Sequence, residues 1–377
     1  GSTESTESGE STEASGGGGG ESASSGETIN LLTWDTYHEP EWLKEFEDET
    51  GIKVNSTNVG SPAEMFSKVK ANPDQFDLIL NTAGWFPQYV EEGLLEEIDT
   101  AEVPEMKNIE LGFDWKEATT VDGKLYGVLY NWGNQPLAWV PDAIKGLDLS
   151  KYENAEGKID DWNFLWDPAL KGKVSIFDDP TSAEPMVPLA LGFKDPFNLD
   201  EEEFEAFEKK LMELRPQVKR LTTGYDDQQA QFASGEVWVG MLNIISISTA
   251  LKEEGTILEL NNAPKQGMPA WSDNYAITKA GGSKLPAIYE FMNFTLTPQW
   301  QARFVAETTN SGTLTYEQAT GKVAKEEGLK PETLEETLIP ATQEGDKFFS
   351  KMIFYQPVED LQRRLDLWNE FKLGLGG

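Results

Sequence analysis

Tryptophans and carboxylates, singly or together, recur in short clusters along this chain. Trp34-Asp35-Thr36-Tyr37, Asn81-Thr82-Ala83-Gly84-Trp85 and Tyr130-Asn131-Trp132-Gly133 are three such places. Asp178-Asp179, with Glu184 close behind, and Trp271-Ser272-Asp273 are two more. None of the five contains Lys or Arg. An indole face attracts an ammonium group through its quadrupole, and a carboxylate supplies charge-assisted hydrogen bonds to the same group. An anion site would instead want Arg or Lys, or a glycine-rich nest at a helix N-terminus. Taken singly, each residue has a plainer reading: a Trp after a strand is commonly core, and Asp179 before Pro180 suits a helix N-cap. Five places sharing one chemistry point to capture of an organic cation.

The 377 residues contain no cysteine and one histidine, His38. Thiolate metal sites, Cys nucleophiles and multi-histidine metal centres are thereby excluded, and a Ser–His–Asp triad would need that one imidazole. His38 stands at a loop-to-helix junction, where a surface position is expected. No metal or other cofactor is expected. The net charge of -35 opposes nucleic acid and anionic membrane as partners. Acids spread along the whole chain also suit a protein working in molar salt, where self-repulsion is screened over about 3 Å.

The elements that must position these residues follow from the hydropathy pattern. Thr28 to Trp34, Ile52 to Val54 and Phe76 to Leu80 read as strands, with amphipathic helices around Trp42 to Phe46 and Ala63 to Val69. Further strands are predicted over Leu125–Leu129, Val174–Phe177 and Val237–Leu242. Helices are expected over Phe204–Leu214, Ala287–Phe294, Gln299–Phe304 and Val358–Phe371. Alternating strands and helices argue an α/β chain of two lobes, and open α/β sheets bind ligands beyond the carboxyl ends of their strands. Residues 1–27 contain only Ser, Thr, Gly, Glu and Ala, so they are expected to be a disordered acidic tether. The chain starts at Gly1 without a signal peptide or a 20-residue apolar run, which reads as a processed or engineered, soluble form. Asn55-Ser56-Thr57 and Asn293-Phe294-Thr295 match the N-glycosylation pattern.

From Thr28 onward the chain resembles the substrate-binding proteins of polyamine (spermidine/putrescine) ABC transporters. The resemblance rests on Trp34-Asp35-Thr36-Tyr37, FEDETGIKV (46–54), Phe76-Asp77-Leu78, Gly93-Leu94-Leu95-Glu96-Glu97-Ile98-Asp99 and WNFLWDPALKGKV (162–174). Asp178-Asp179, Ser234-Gly235-Glu236-Val237, Trp271-Ser272-Asp273 and Ala306-Glu307-Thr308 extend it. It implies a type II periplasmic-binding-protein fold: two lobes, each a mixed, mainly parallel sheet flanked by helices, with a ligand cleft at the hinge. The lobes are expected over 28–138 plus 272–320 and 139–271 plus 321–377. It implies Trp34 and Tyr37 as an aromatic cage, Asp273 as ammonium partner, Trp271 as a stacking face and Thr82 as a polar contact. Asp35, Trp85 and Trp132 belong to the same candidate set. Asp179 or Glu184 is implied as the second lobe's acid, and Gln356 as a contact near the end. Two positions depart: Gly84 stands where such binders tend to have Tyr, and Asn243 where they usually have Trp.

By the same resemblance the partners are a polyamine-like cation, a membrane permease and its ATPase. The location is extracellular, on the outer face of the membrane, with the N-terminus as a lipid-anchored tether. The acidity suggests a halophilic archaeal source. A different reading keeps the scaffold but fills the cleft, making a surface interaction protein, or uses it for another small solute.

Overall fold

The computed structural model describes residues 22–375. The expected tether therefore lies outside the described residues up to 21. From Ser22 the chain already packs: Ser22 N donates to the Thr50 carbonyl and Gly26 N to that of Gly51. Residues 22–27, expected to belong to the tether, are thus packed on the first lobe.

The chain opens with β1 (Thr28–Thr33), α1 (Pro40–Thr50), β2 (Lys53–Asn58), α2 (Pro62–Ala71), β3 (Leu78–Thr82) and α3 (Phe86–Glu91). Local chemistry sets these bounds. Pro40 begins α1 where its missing N–H costs nothing, and Gly51 ends it in the left-handed conformation at φ 76. The i, i+1, i+4 set Trp42, Leu43 and Phe46 lies buried. Ser61 caps α2 by accepting from Glu64 N. β1 pairs in parallel with both β2 and β3, so it is central, and Leu31 and Leu32 are fully buried. β2 is an edge strand, which is why five of its six residues, KVNSTN, are exposed.

After β4 (Val128–Asn134), a strand of the first sheet, the chain crosses to a second lobe. There lie β5 (Leu137–Trp139), β6 (Val174–Ser175), α4 (Pro180–Ala183), α5 (Glu201–Glu213), α6 (Tyr225–Ala233), β7 (Val239–Met241) and β8 (Glu259–Asn261). These four strands make a smaller sheet in the order β8-β5-β7-β6, parallel only between β6 and β7. α5 begins with a reciprocal Asp200–Glu203 capping box and buries Phe204, Phe207 and Leu211 against this lobe's core.

The chain returns through β9 (Met268–Ile277), α7 (Leu285–Thr295), α8 (Pro298–Thr308) and β10 (Met352–Phe354) to the first sheet, then ends on the second lobe as α9 (Leu361–Leu373). β9 runs antiparallel to both β3 and β4 and parallel to β10. Three stretches therefore cross between the lobes, around 135–136, 262–267 and 355–360.

Three expectations change. Residues 321–355 join the first lobe, since Leu329, Leu334 and Ile339 pack with Ala302 and Val305 of α8, and β10 pairs with β9. The predicted strand 125–129 divides into a small hairpin ending at Leu125 and the longer β4. Tyr130-Asn131-Trp132-Gly133 consequently lies within a strand, not after one. Asn293 spends its amide on the Glu102 and Tyr289 carbonyls and on Glu105 N, so this glycosylation match is committed to packing. Among the described residues no helix is long and apolar enough to cross a membrane.

Candidate functional site

A cleft of about 720 Å³, its open mouth included, lies between the two lobes where the crossings meet. Strand order accounts for its position: β3 ends and the antiparallel β9 runs its first half at the floor on one side, and α4 and α6 begin on the other. Its size falls within the range usual for small-molecule sites.

Asp273 sits on β9, paired with Thr82 of β3 and Asn131 of β4, just before a register shift at Asn274. It is 5% exposed. The Thr82 hydroxyl donates to its Oδ1 at 2.7 Å and the Tyr37 phenol to its Oδ2 at 2.5 Å. Burial dominates all the same and pushes the carboxyl up to about 7; the two hydroxyls lower it and Asp179 raises it further. Burial and the neighbouring Asp273 also keep the Tyr37 phenol well above its usual range, so it stays a donor.

Asp179 faces the same space from the second lobe. It caps α4, its Oδ1 accepting from Thr181 N at 3.0 Å and its Oδ2 from the Ser182 hydroxyl at 2.7 Å. The cap reading and the cleft reading hold together in this residue. It is 4% exposed, and burial raises it to about 6 against the pull of those bonds. Two deep carboxylates, one per lobe, thus share a cleft that, among the described residues, is lined by no Lys, Arg or His.

Aromatic walls complete it. Trp34 is fixed by its Nε1 donating to the Leu80 carbonyl at 2.9 Å. Trp271 lies flat over β4 because its cross-strand partner is Gly133, where a Cβ would come within 2.4 Å of the indole. With the Gln135 amide turned so that it donates to the Pro269 carbonyl, its oxygen accepts from Trp271 Nε1 at 3.0 Å. Asp35, Thr82 and Asn243 also line the cleft.

Several expected contacts lie elsewhere. Tyr37 does not line the cleft; it acts on Asp273 from behind. Trp132 alternates to the opposite face of β4 from Asn131 and Gly133, where it packs on Phe348 and Phe349. Trp85 is buried and donates across the lobes to the Thr181 hydroxyl at 3.2 Å, a brace between them. Glu184, beyond the end of α4, is buried with one carboxylate oxygen unpartnered, and burial holds it well above the usual carboxylate range. Gln356 points to solvent. His38 is buried, not superficial, because the turn between β1 and α1 sets its ring against the sheet. Its ring nitrogens pair with Thr33 Oγ1 at 2.9 Å and Tyr275 OH at 2.7 Å, and burial drives it down to about 3.

Sequence reasoning missed Tyr225, Tyr355, Phe177 and Phe197, all of which line the cleft. One signal was available, in the two positions that departed from pattern. Gly84, at φ 99, leaves the space that Tyr355 fills, since a Cβ there would lie 2.2 Å from the Tyr355 ring. Tyr225, at the start of α6, supplies a ring on the lobe where Asn243 has none. Gly84→Ala should therefore displace Tyr355. Calorimetric affinity for the cleft's ligand is expected to fall about tenfold with little change in fold by circular dichroism, since overpacking costs roughly 1–3 kcal/mol.

The family profile described as bacterial extracellular solute-binding protein matches residues 41–331. The spermidine/putrescine-binding periplasmic protein 1 of Haemophilus influenzae is 30% identical over 258 residues, 68% of this chain and 67% of that protein. A spermidine/putrescine-binding periplasmic protein of Salmonella typhimurium is 29% identical over 287 residues, 76% and 77% of the two chains. Among solved structures, a spermidine/putrescine ABC transporter substrate-binding protein of Streptococcus pneumoniae superposes with a TM-score of 0.69 at 20% identity, covering 92% of this chain and 99% of that one.

Proposed function

Because this chain belongs to the bacterial extracellular solute-binding protein family and has the two-lobed type II fold, we propose that it captures a polyamine-like cation, putrescine or spermidine, for a membrane permease and its ATPase. One observation carries this reading: Asp179 and Asp273, each deep in its own lobe, bring negative charge to both sides of a cleft walled by Trp34 and Trp271. A diamine with an apolar linker fits that pattern, one ammonium to each acid and methylenes between indoles. Binding would also draw the lobes together, as each end of the ligand belongs to a different lobe. The open cleft supports a receptor over a filled scaffold. Capture without bond change is the reading that the substrate-binding relatives support.

Calorimetric titration of the whole chain with putrescine, spermidine, choline and glycine betaine tests it. The two amines are expected to bind at micromolar concentration or tighter, and the two quaternary ammonium compounds at least a hundredfold more weakly, each having a single cationic centre and no N–H donor. No heat from either amine, or betaine as the tightest ligand, would reject the proposal.

The acid surplus is read as adaptation to concentrated salt. The ion pairs are mostly exposed, as with Arg363 on Glu201 and Lys322 on Glu326, and such pairs offset little repulsion. The urea midpoint of the ligand-free chain is therefore expected to rise steadily from 0.1 to 2 M KCl. A flat or falling midpoint would remove this reading.

A further inference from the structure

We infer that Lys252 latches the two lobes together away from the hinge, and so sets how long a captured solute is held. Its ammonium donates to Glu336 Oε1 at 2.5 Å. Of the ion pairs among the described residues, this is the one that joins the lobes. The helix Ser246–Glu253 is anchored in the second lobe by Ile247 and Leu251, which pack with Ala138, Phe232 and Leu242. Glu336 follows the short helix Pro331–Glu335, which Leu334 pins to Ala302 and Val305 of α8 in the first lobe. Each partner is fixed to its own lobe, so the pair must break when the lobes part. The same second-lobe segment begins in the cleft. Asn243 lines it, and two residues on Ile245, 9% exposed, joins the first lobe's core cluster. One short stretch thus runs from the cleft wall to the latch.

Charge makes this lysine worth more than one bond. Beside it the second lobe presents Glu253 and Glu254, both exposed, and the first lobe presents Glu335 and Glu336. Glu335 adds to the field on the Lys252 ammonium. Glu254 accepts from the Gln229 amide at 2.7 Å, a neutral donor that leaves its charge in place. Two acidic edges therefore meet with Lys252 between them. Without that cation, closing the lobes brings like charges together, whereas opening them keeps the charges apart. A contact made only in the closed form shifts the balance of open and closed, and it slows escape more than entry.

An ion pair this exposed is weak, so the effect is a few-fold one and depends on salt. At low ionic strength, Lys252→Gln in the full chain is expected to speed putrescine dissociation about two- to fivefold, with association changed by less than about twofold. In 1 M KCl the two chains should release the amine equally, as screening then acts over about 3 Å. Lys252→Glu should speed release further, and Glu336→Lys added to it should restore the wild-type rate to within about twofold. A merely structural role would be neither rescued by that exchange nor erased by salt. Since the chain has no cysteine, spin labels at Ala71→Cys in α2 and Ala233→Cys in α6 can read lobe separation without any ligand. The closed fraction should fall in Lys252→Gln by the same factor as retention. Dissociation unaltered in Lys252→Gln, or an exchange that does not rescue, would overturn the inference and leave the polyamine reading standing. A wild-type chain that binds neither amine would reject the polyamine reading alone. The label distances would then decide the latch, an unchanged closed fraction overturning it.

Discussion

Asp273→Asn should reduce amine affinity by about a hundredfold or more, and should stabilise the empty protein above pH 7. Both effects come from one carboxylate. Removing one partner of a desolvated, charge-assisted pair typically costs 2–5 kcal/mol, because the remaining ammonium is stranded in a low-dielectric site. Without ligand, the same carboxylate is a burden: it is buried, faces Asp179, and is stabilised by two hydroxyl donors alone. The amide is isosteric, and the Thr82 and Tyr37 hydroxyls can rotate to accept where one now donates. Titration calorimetry reads the first effect and denaturant unfolding the second. A variant that loses binding and stability together would show Asp273 to be a structural residue.

Acidification should weaken amine binding by about a thousandfold between pH 8 and pH 5. A cation needs both acids ionised, whereas the empty cleft holds Asp273 near 7 and Asp179 near 6. Binding at pH 7 should release about half a proton, almost all from Asp273, and about one and a half at pH 6. Calorimetry in buffers of different ionisation enthalpy measures that release directly. For folding the sign is opposite to the usual carboxylate case. Each of these acids has a folded value raised above its unfolded value, so its stabilising contribution is complete below about pH 4. That contribution is lost as pH rises through about 6 for Asp179 and about 7 for Asp273. The ligand-free protein should therefore weaken across this range while the amine-bound protein does not. A pH-independent affinity would mean that neither acid meets the cation.

Much of this was legible in the residues. Composition alone spoke against thiol chemistry, and the capped amphipathic segments fixed α1, α2 and α5 to within a few positions. Asp273, Asp179, Trp34 and Trp271 could be read because each stands beside a residue with a recognisable structural job. Trp132 could not be assigned correctly, because facing depends on strand phase, and the strand began three residues later than its apolar run suggested. Tyr225 and Tyr355 come from distant parts of the chain and meet the cleft only through tertiary packing. The lobe to which 321–355 belongs was likewise invisible, since a three-residue strand pairing at Met268–Ala270 decides it.

The buried imidazole has a practical consequence. The chain has one histidine, and that ring stacks on Tyr130 at 4.8 Å, whose hydroxyl donates to the Tyr37 carbonyl behind Asp273. It does not titrate over the pH range in which the cleft does. Nitrogen-15 labelling of histidine alone would thus place one silent spectator beside the binding carboxylate. Its two resonances would record the occupancy of the cleft against a background free of other imidazole signals.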